Sequence, residues 1–593
     1  MKISRFLATF GQDLAYAGRT FRKNPGFTVT ALVTLALGLG ANAAIFSFVD
    51  AVLLKPLPYP QPDRLIVVYE KPPSGGRNGV SAQNFLDWRE GSKSVDLVAS
   101  GGNSFTMTGR GEPLMVNARM VSYDLFRVLG TDIATGRGFL PQEGLPGNEK
   151  VLLVSHRFWA EHLGADPGIL GQTLDLDGRP YKIIGTLPAN SWFDRHPADV
   201  WVPLAIDHAN SSRDFHYLQV YGRLRPGATM AGAQVELDAI AARIARDYPA
   251  SNKGWGVTVD PILDWAVSDR FRQVLYVLFA AVGAVVLIAC VNLANLLLAR
   301  SAAREREIWV RLSLGASRGR LARQVLTESL ALGLAGGAAG CLLGFGLMKA
   351  LLYWLPPFTL PTQAEVRMDW RVLAYLFALA LAASVLFGMA PAVATWRRDA
   401  ADGLREGHRG ATGSAAKGRF RSALIVAEVA LAFVLAATSG VLIHSFLRMT
   451  GVDLGVDIAN VLTMELPRAM GRDTDPVRET MMMDQIRDAV AALPGVADAA
   501  LTSVMPMQSW GFGMPYEIRG RSSSTTQNSG GGFKIVSPAY FRTVGMKLLR
   551  GRGLADTDRA GSNPVTAINQ TMANQRFSRA KTLSASTCSS SAS

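Results

Sequence analysis

Five apolar runs, each long enough to cross a bilayer, divide the chain: Phe27–Leu54, Val274–Leu298, Val325–Leu355, Val372–Trp396 and Ala423–Leu447. A helix needs about 20 such residues to span the hydrocarbon core. Between the first two runs the period changes. LIVVY (Leu65–Tyr69), VLLV (Val151–Val154), YKIIG (Tyr181–Gly185) and YLQVYGRL (Tyr217–Leu224) read as strands bounded by turn residues. Met230–Asp247 reads as a helix with Ala233, Leu237, Ile240 and Ile244 on one face. The predicted class is a multi-span α-helical membrane protein with mixed α/β extracytoplasmic domains. Ahead of the first run, Ile3, Phe6, Leu7, Phe10, Leu14, Ala17 and Phe21 recur at helical spacing, so residues 1–26 read as an amphipathic helix in the inner interface. The run that follows is too long for the apolar region of a cleavable signal.

Charge orients these runs. The 593 residues carry a net charge of +14. Nearly all of that excess lies in Met1–Gly26, Ala299–Arg323 and Arg397–Arg421, each beside an apolar run. This is the positive-inside pattern of a membrane protein, and it excludes the basic stripe of a nucleic-acid binder. The N-terminus and the basic segments 299–324 and 397–422 are therefore expected in the cytoplasm. Residues 55–273 are expected outside, with a short outer turn near Pro356–Arg371, and so is everything from residue 448 to the C-terminus. Cys290 and Cys341 fall in apolar runs and Cys588 in the final tail, so disulfides play no part in the outer domain 55–273.

An internal repeat follows from matched positions. Phe126-Arg127, Gly130 and Gly136-Arg137-Gly138 recur as Phe541-Arg542, Gly545 and Gly551-Arg552-Gly553, at a constant offset of 415. VLLVS (Val151–Ser155) and VTAIN (Val565–Asn569) each precede a helical pattern. The fifth run leads into residues 448–580 as the first leads into 55–273. The chain thus reads as one unit of span, outer domain and three spans, followed by a second, incomplete outer domain. The polar tail 581–593, KTLSASTCSSSAS, reads as a truncation or a shifted frame.

Candidate function concentrates in Ala299–Leu330, between the second and third runs. Glu307 and Arg311 stand i,i+4 with the acid N-terminal, the favourable order. Ile308, Trp309 and Leu312 form an apolar stripe. Gly315 suits a left-handed helix stop and Ser317 a cap for the next helix. A structured, amphipathic elbow of this kind invites a docked partner, with Arg304, Glu307, Arg311, Gly315, Arg318 and Arg320 as contact residues. The alternative is that these arginines serve only the positive-inside rule. Gly336, Gly340 and Gly344, four apart, allow a neighbouring helix to approach closely. Asn42, Asn292 and Asn295 read as interhelical hydrogen-bonding residues. Glu428 lies shallow in the fifth run, where Arg419 or Arg421 can neutralise it.

No G-x-x-x-x-G-K-[ST] phosphate loop occurs, so an ATPase would have to be a separate polypeptide. No H-E-x-x-H is present, and His196, His208 and His216 are loosely spaced and read as surface or loop residues. No catalytic residue, metal site or cofactor is expected.

Two sets of motifs resemble a known family. RKNPGFT (Arg22–Thr28), LALGLGANAAIFS (Leu35–Ser47) and VLLKPLPYPQPDRL (Val52–Leu65) resemble the duplicated orphan permeases, a branch of the MacB/FtsX-like ABC transporter permeases with a MacB-type periplasmic core domain. EIWVRLSLGASRGRLARQVLTES (Glu307–Ser329) resembles the FtsX-like permease signature. The resemblance runs from Asp13 to Ala580. It implies a cytoplasmic ABC-type ATPase docked at the elbow. It also implies ATP-driven motion passed through the helices to periplasmic domains, in efflux or mechanotransmission. The implied location is a bacterial inner membrane, multi-pass, N-terminus cytoplasmic and C-terminus periplasmic, with a periplasmic adaptor as a further partner. A MacB-type permease is expected to dimerise, whereas a duplicated one can hold both halves in one chain. The sequence departs from the family at its end, where a duplicated member would complete a second set of three spans. Two other readings stay open: a membrane-anchored periplasmic scaffold akin to the FtsX-like regulators of cell-wall hydrolases, and a non-functional fragment.

Overall fold

Pro25 opens the first membrane helix at a position where its missing N–H is no loss and its fixed φ suits the turn. The computed structural model describes residues 11, 15–55, 57–189, 198–209, 211–303, 310, 317–355, 360, 364–396, 414–452, 454–457, 460–466, 475–505, 512–515, 517–518, 530–559, 561–577 and 588–589. Among these, five helices are long and apolar enough to span a membrane: Pro25–Leu54, Asp269–Arg300, Gly319–Trp354, Trp370–Met389 and Ile425–Thr450. Their helices overrun the apolar runs, the second extending over Asp269–Ala303 and the third over Arg318–Trp354. The backbone hydrogen-bond ladder does not stop where hydropathy does, so polar end residues stay helical.

The first four spans share one core, in which Leu35, Leu39, Leu293, Leu332, Leu376 and Phe387 are buried. The fifth buries none of its apolar window. At the N-terminus, residues 15–23 are helical, with Ala17 fully buried and Phe21 packed on this core. Of the amphipathic stripe read there, Ile3, Phe6, Leu7, Phe10 and Leu14 lie outside the described residues.

The extramembrane domain between the first two spans is built on an eleven-stranded sheet. Its strands are β1 (Leu65–Lys71), β2 (Val80–Ser81), β3 (Val95–Thr108), β4 (Leu114–Val121), β5 (Thr135–Gly136), β6 (Val151–Val154), β7 (Thr173–Leu176), β8 (Arg179–Thr186), β9 (Val200–Pro203), β10 (His216–Leu224) and β11 (Gly256–Pro261). The order is β11-β1-β10-β3-β4-β9-β6-β8-β5, with β2 on β10 and β7 on β3 and β8. The β4–β9 and β6–β8 pairs are parallel and the others antiparallel. All four strands read from the alternation are present, and the helix Met230–Asp247 has the expected bounds. Ala233, Leu237, Ile240 and Ile244 of that helix share a core with Phe85 and Trp88 of the helix Ala82–Gly91 and with Ile66 and Val220 of the sheet. A second core gathers Phe105, Leu152, Phe158, Ile183 and Val200.

Ser81, Ser155 and Thr229 cap the helices that follow them, each hydroxyl accepting a backbone N–H three residues on. The first of these caps belongs to a buried polar network around Glu70, which is 1% exposed. Glu70 Oε1 accepts from Ser81 N at 3.0 Å, Ser81 Oγ at 3.3 Å and Asn84 Nδ2 at 2.9 Å. Its Oε2 lies 2.5 Å from His216 Nδ1, and the imidazole stacks on Trp255 at 4.4 Å. Asn84 also binds Asn252 and Arg213, and Arg213 pairs with Asp87 at 2.7 Å. His216 is therefore a largely buried strand residue with a carboxylate partner, and the surface or loop role read for it is corrected. Spacing along the chain could not show this, because the strand pairing supplies the partner.

A loop beyond the fifth span, Phe541–Asp558, has the same construction as the loop Phe126–Glu143 of the first domain, at the offset of 415. Gly130 and Gly545 have φ 71° and 69°, and Gly136 and Gly551 have φ 82° and 80°. Thr131 N donates to Phe126 O and Met546 N to Phe541 O, both at 2.8 Å. Arg137 binds Glu143 at 2.6 Å while Leu140 N donates to the same carboxylate at 2.7 Å. Arg552 and Ala555 N bind Asp558 in the same way, at 2.7 and 2.9 Å. The Arg552 guanidinium, helped by the Ala555 N–H, pulls the Asp558 carboxyl down to about 2. Val565–Asn569 forms no strand, although the helix Gln570–Phe577 follows it.

Truncating Glu70 to Ala strands the Ser81 and Asn84 donors in a buried site and removes the carboxylate beside His216. Glu70→Ala is expected to destabilise its domain by about 3–5 kcal/mol, read as a lowered unfolding midpoint of the full chain in detergent. Glu90→Ala, at an exposed position on the neighbouring helix, should stay within about 0.5 kcal/mol of wild type.

Candidate coupling site in the membrane helices

The third span contacts its neighbours through small residues on two faces. On one face a Cβ at Gly336 would stand 2.6 Å from Leu35 Cβ, one at Gly340 3.1 Å from Gly40 N, and one at Gly344 2.8 Å from Gly40 O. The three glycines read from the sequence thus lie directly against the first span, and Gly40 answers them: its own Cβ would stand 2.9 Å from the Gly340 carbonyl. No side chain fits between these backbones. On the other face Gly333 lies against Ser384, and Gly388 of the fourth helix would carry a Cβ 2.7 Å from Ser329 Oγ. Both serines fold their hydroxyls back on their own helices, Ser384 to Ala380 O at 2.6 Å and Ser329 to Val325 O at 2.9 Å. The reading of the sequence missed this second face, whose signal is a glycine opposite a serine in each direction and needs the pairing of two helices to be seen.

Asn42 holds a polar contact in the middle of the bundle. The Tyr375 hydroxyl donates to Asn42 Oδ1 at 2.5 Å, and the Tyr375 ring stacks on Phe46 at 3.8 Å. Beside them a recess of about 200 Å³ is lined by Phe279, Val286, Cys290 and Leu379 among others. Asn42 thus bonds between the first and fourth spans. Asn292 is half-buried, and Asn295 Oδ1 is buried with no hydrogen-bond partner among the described residues. Glu428 is half-exposed, and the side chains of Arg419 and Arg421 lie outside the described residues.

Charge gathers at the outer end, from which the first span leads into the extramembrane domain. The helix of the first span closes on a π-turn, Asp50–Leu54, with Lys55 N donating to Asp50 O at 2.7 Å. Lys55 Nζ lies 3.8 Å from Asp50 Oδ2 and 3.0 Å from Asp369 Oδ2. Arg371 completes the group, 3.9 Å from Asp50 Oδ1. Asp369 also caps the fourth span, accepting from Arg371 N at 3.0 Å and Val372 N at 3.4 Å. Burial alone would raise the Asp369 carboxyl, but the Lys55 ammonium and these two N–H groups hold it below the usual carboxylate range. Beneath the charges, Phe48, Val49 and Val52 pack with Leu275, Met348 and Val366.

At the opposite end, Arg300 lies over the Phe27 ring at 4.4 Å, and its guanidinium donates to Thr20 O at 3.5 Å. Arg304, Glu307, Arg311 and Gly315 of the elbow lie outside the described residues. Arg318 opens the third helix, and Arg320 is exposed on its first turn. Ser317 occupies the N-cap position, but its side chain makes no capping bond, which corrects the role read for it. Arg320 N bonds instead to the Ser317 carbonyl at 3.0 Å, so the hydroxyl has lost its donor.

Residues 28–240 match the MacB-like periplasmic core domain, and residues 279–399 match the FtsX-like permease C-terminal domain. The uncharacterized ABC transporter permease YknZ of Bacillus subtilis is 25% identical over 339 residues, 56% of this chain and 81% of that protein. The macrolide export ATP-binding/permease protein MacB of Burkholderia thailandensis is 24% identical over 284 residues, 47% of this chain and 41% of that protein. The chain thus spans less than half the length of that larger relative. Among solved structures, the extracellular domain of the noncanonic ABC-type transporter YknZ from Gram-positive bacteria aligns with 33% of this chain and 99% of its own, at 17% identity and a TM-score of 0.25.

The glycine contact yields a direct test. Gly344→Leu puts a side chain into the Gly40 carbonyl and should destabilise the bundle by about 1–3 kcal/mol or more, measured as a lowered thermal midpoint in detergent. Gly346→Leu points into open space and should leave the midpoint unchanged.

Proposed function

The chain belongs to the MacB/FtsX-like family of ABC-type permeases, and we propose that it couples a separate ABC-type ATPase, docked on the elbow Ala299–Leu330, to extracytoplasmic domains. That it is the membrane permease subunit of an ABC-type system follows from the family. The coupling reading rests above all on one observation: the helix that leaves the elbow, Arg318–Trp354, lies backbone to backbone against the first span. The first span in turn runs on in sequence into the domain 63–261. A push at the elbow therefore has a stiff path to follow, because a joint without side chains has no rotamers to absorb it. Arg304, Glu307, Arg311, Gly315, Arg318 and Arg320 are the proposed contacts with the ATPase, and Arg320 stands exposed at the foot of the third span. Efflux and mechanotransmission share this path.

The orientation proposed is that of the charge pattern, with the elbow, the N-terminus and the basic linker 397–422 in the cytoplasm of a bacterial cell. The domain after the fifth span is proposed to repeat the domain after the first. In support, two loops 415 positions apart share glycine φ values, turn hydrogen bonds and an arginine–carboxylate clamp. A periplasmic adaptor and a dimer are further proposals that rest on the family alone.

Affinity capture of the full chain from its native membrane tests the coupling reading. The expected result is that an ABC-type ATPase co-purifies, and that Arg311→Glu with Arg318→Glu lowers its yield at least about tenfold, the effect of roughly 1.4 kcal/mol of lost binding. Absence of any ATPase, or an undiminished yield with the double variant, would contradict docking at the elbow.

A further inference from the structure

The charges at the outer end are arranged differently from a joint that serves stability alone. A buried ion pair can usually be replaced by packed apolar side chains with little loss, whereas removing one partner leaves a costly desolvated charge. Asp50 is 2% exposed, yet its two cations stand 3.8 and 3.9 Å away. Its Oδ2 accepts no hydrogen bond among the described residues. Lys55 makes its shorter contact, 3.0 Å, with Asp369 on the fourth helix's cap. Asp50 therefore depends on a lysine that is shared with another helix. It sits, moreover, on a π-turn, a rare departure from the α pattern that is frequent at functional sites. The apolar cluster of Phe48, Val52, Met348 and Val366 lies directly below. If the fourth helix's cap moves away, Lys55 must choose between the two acids, and Asp50 must gain water. Such a group has two discrete arrangements rather than a graded one.

We propose that Asp50, Lys55, Asp369 and Arg371 form a charge latch that holds the outer end of the first span against the cap of the fourth, and that opening it is a conformational step of this permease. What drives the opening rests on the coupling reading; the latch itself is a property of the chain alone. Asp369 has two roles that can be separated. Asn at that position keeps the helix cap, because its side-chain oxygen still accepts backbone N–H groups, but removes the charge that Lys55 bridges.

The test is a pulsed electron-spin distance measurement on the full chain in nanodiscs, without an ATPase. Spin labels go on Leu54→Cys and Leu373→Cys, both at exposed positions, with Cys290→Ala, Cys341→Ala and Cys588→Ser as background. The latched chain should give one short distance. Lys55→Met and Asp369→Asn should each raise a longer-distance population at least about tenfold, while Lys55→Arg, which keeps the charge, should restore the short distance. If Lys55→Met does not fold, Asp369→Asn carries the test. An unchanged distribution in folded Asp369→Asn overturns the latch. Failure to find an ATPase at the elbow would overturn the coupling reading and leave this result standing.

Discussion

The backbones of the first and third spans touch, and the membrane part of this protein is organised by that contact. In a bilayer, apolar side chains gain nothing by leaving lipid for one another, so helices associate through close packing and hydrogen bonds. Gly40 faces Gly340 and Gly344 closely enough that a single methyl on either side would collide with the opposing backbone. The third span then presents a second small-residue face to the fourth, through Gly333 with Ser384 and Ser329 with Gly388. A helix fixed on two sides in this way moves with its neighbours or not at all. That property is what the proposed coupling needs.

Polar groups mark the levels of the bundle. Asn42 and Tyr375 bond between the first and fourth spans in the middle, and Asp50, Lys55, Asp369 and Arg371 meet at the outer end. At the other end Arg300 joins the second span to the start of the first. The glycine contacts set how closely helices approach, and the polar contacts set which faces meet and at what height. The extramembrane domain uses the same device in water-facing form: Glu70 and His216 tie β1 to β10, and Asn84 and Asn252 tie two short helices to that pair.

Periodicity carried the local structure well. Among the described residues, the five long apolar helices, four of the strands and the helix Met230–Asp247 follow from the runs and alternation along the chain. Gly336, Gly340 and Gly344 were legible because a spacing of four puts them on one face. Sheet order was not, since β4–β9 and β6–β8 pair across long connections that no local pattern encodes. Asp50 was passed over for a related reason. An acid at the end of an apolar run looks like an interface residue, and Arg371 beside it, like the Asp369 that shares its Lys55, comes from far along the chain. Glu428, read as lying shallow in the fifth run, stands half-exposed. His216 drew the wrong reading because histidine spacing was compared with metal motifs, whereas its partner is a carboxylate on a neighbouring strand.

Amide hydrogen exchange of the chain together with its proposed ATPase, with and without ATP, tests most directly whether the spans carry motion from elbow to outer domain. ATP should change exchange both at Arg318–Arg323, at the foot of the third span, and at Asp50–Lys55, at the outer end of the first. A change confined to the elbow, with Asp50–Lys55 unaffected while ATP is hydrolysed, would contradict coupling through these helices.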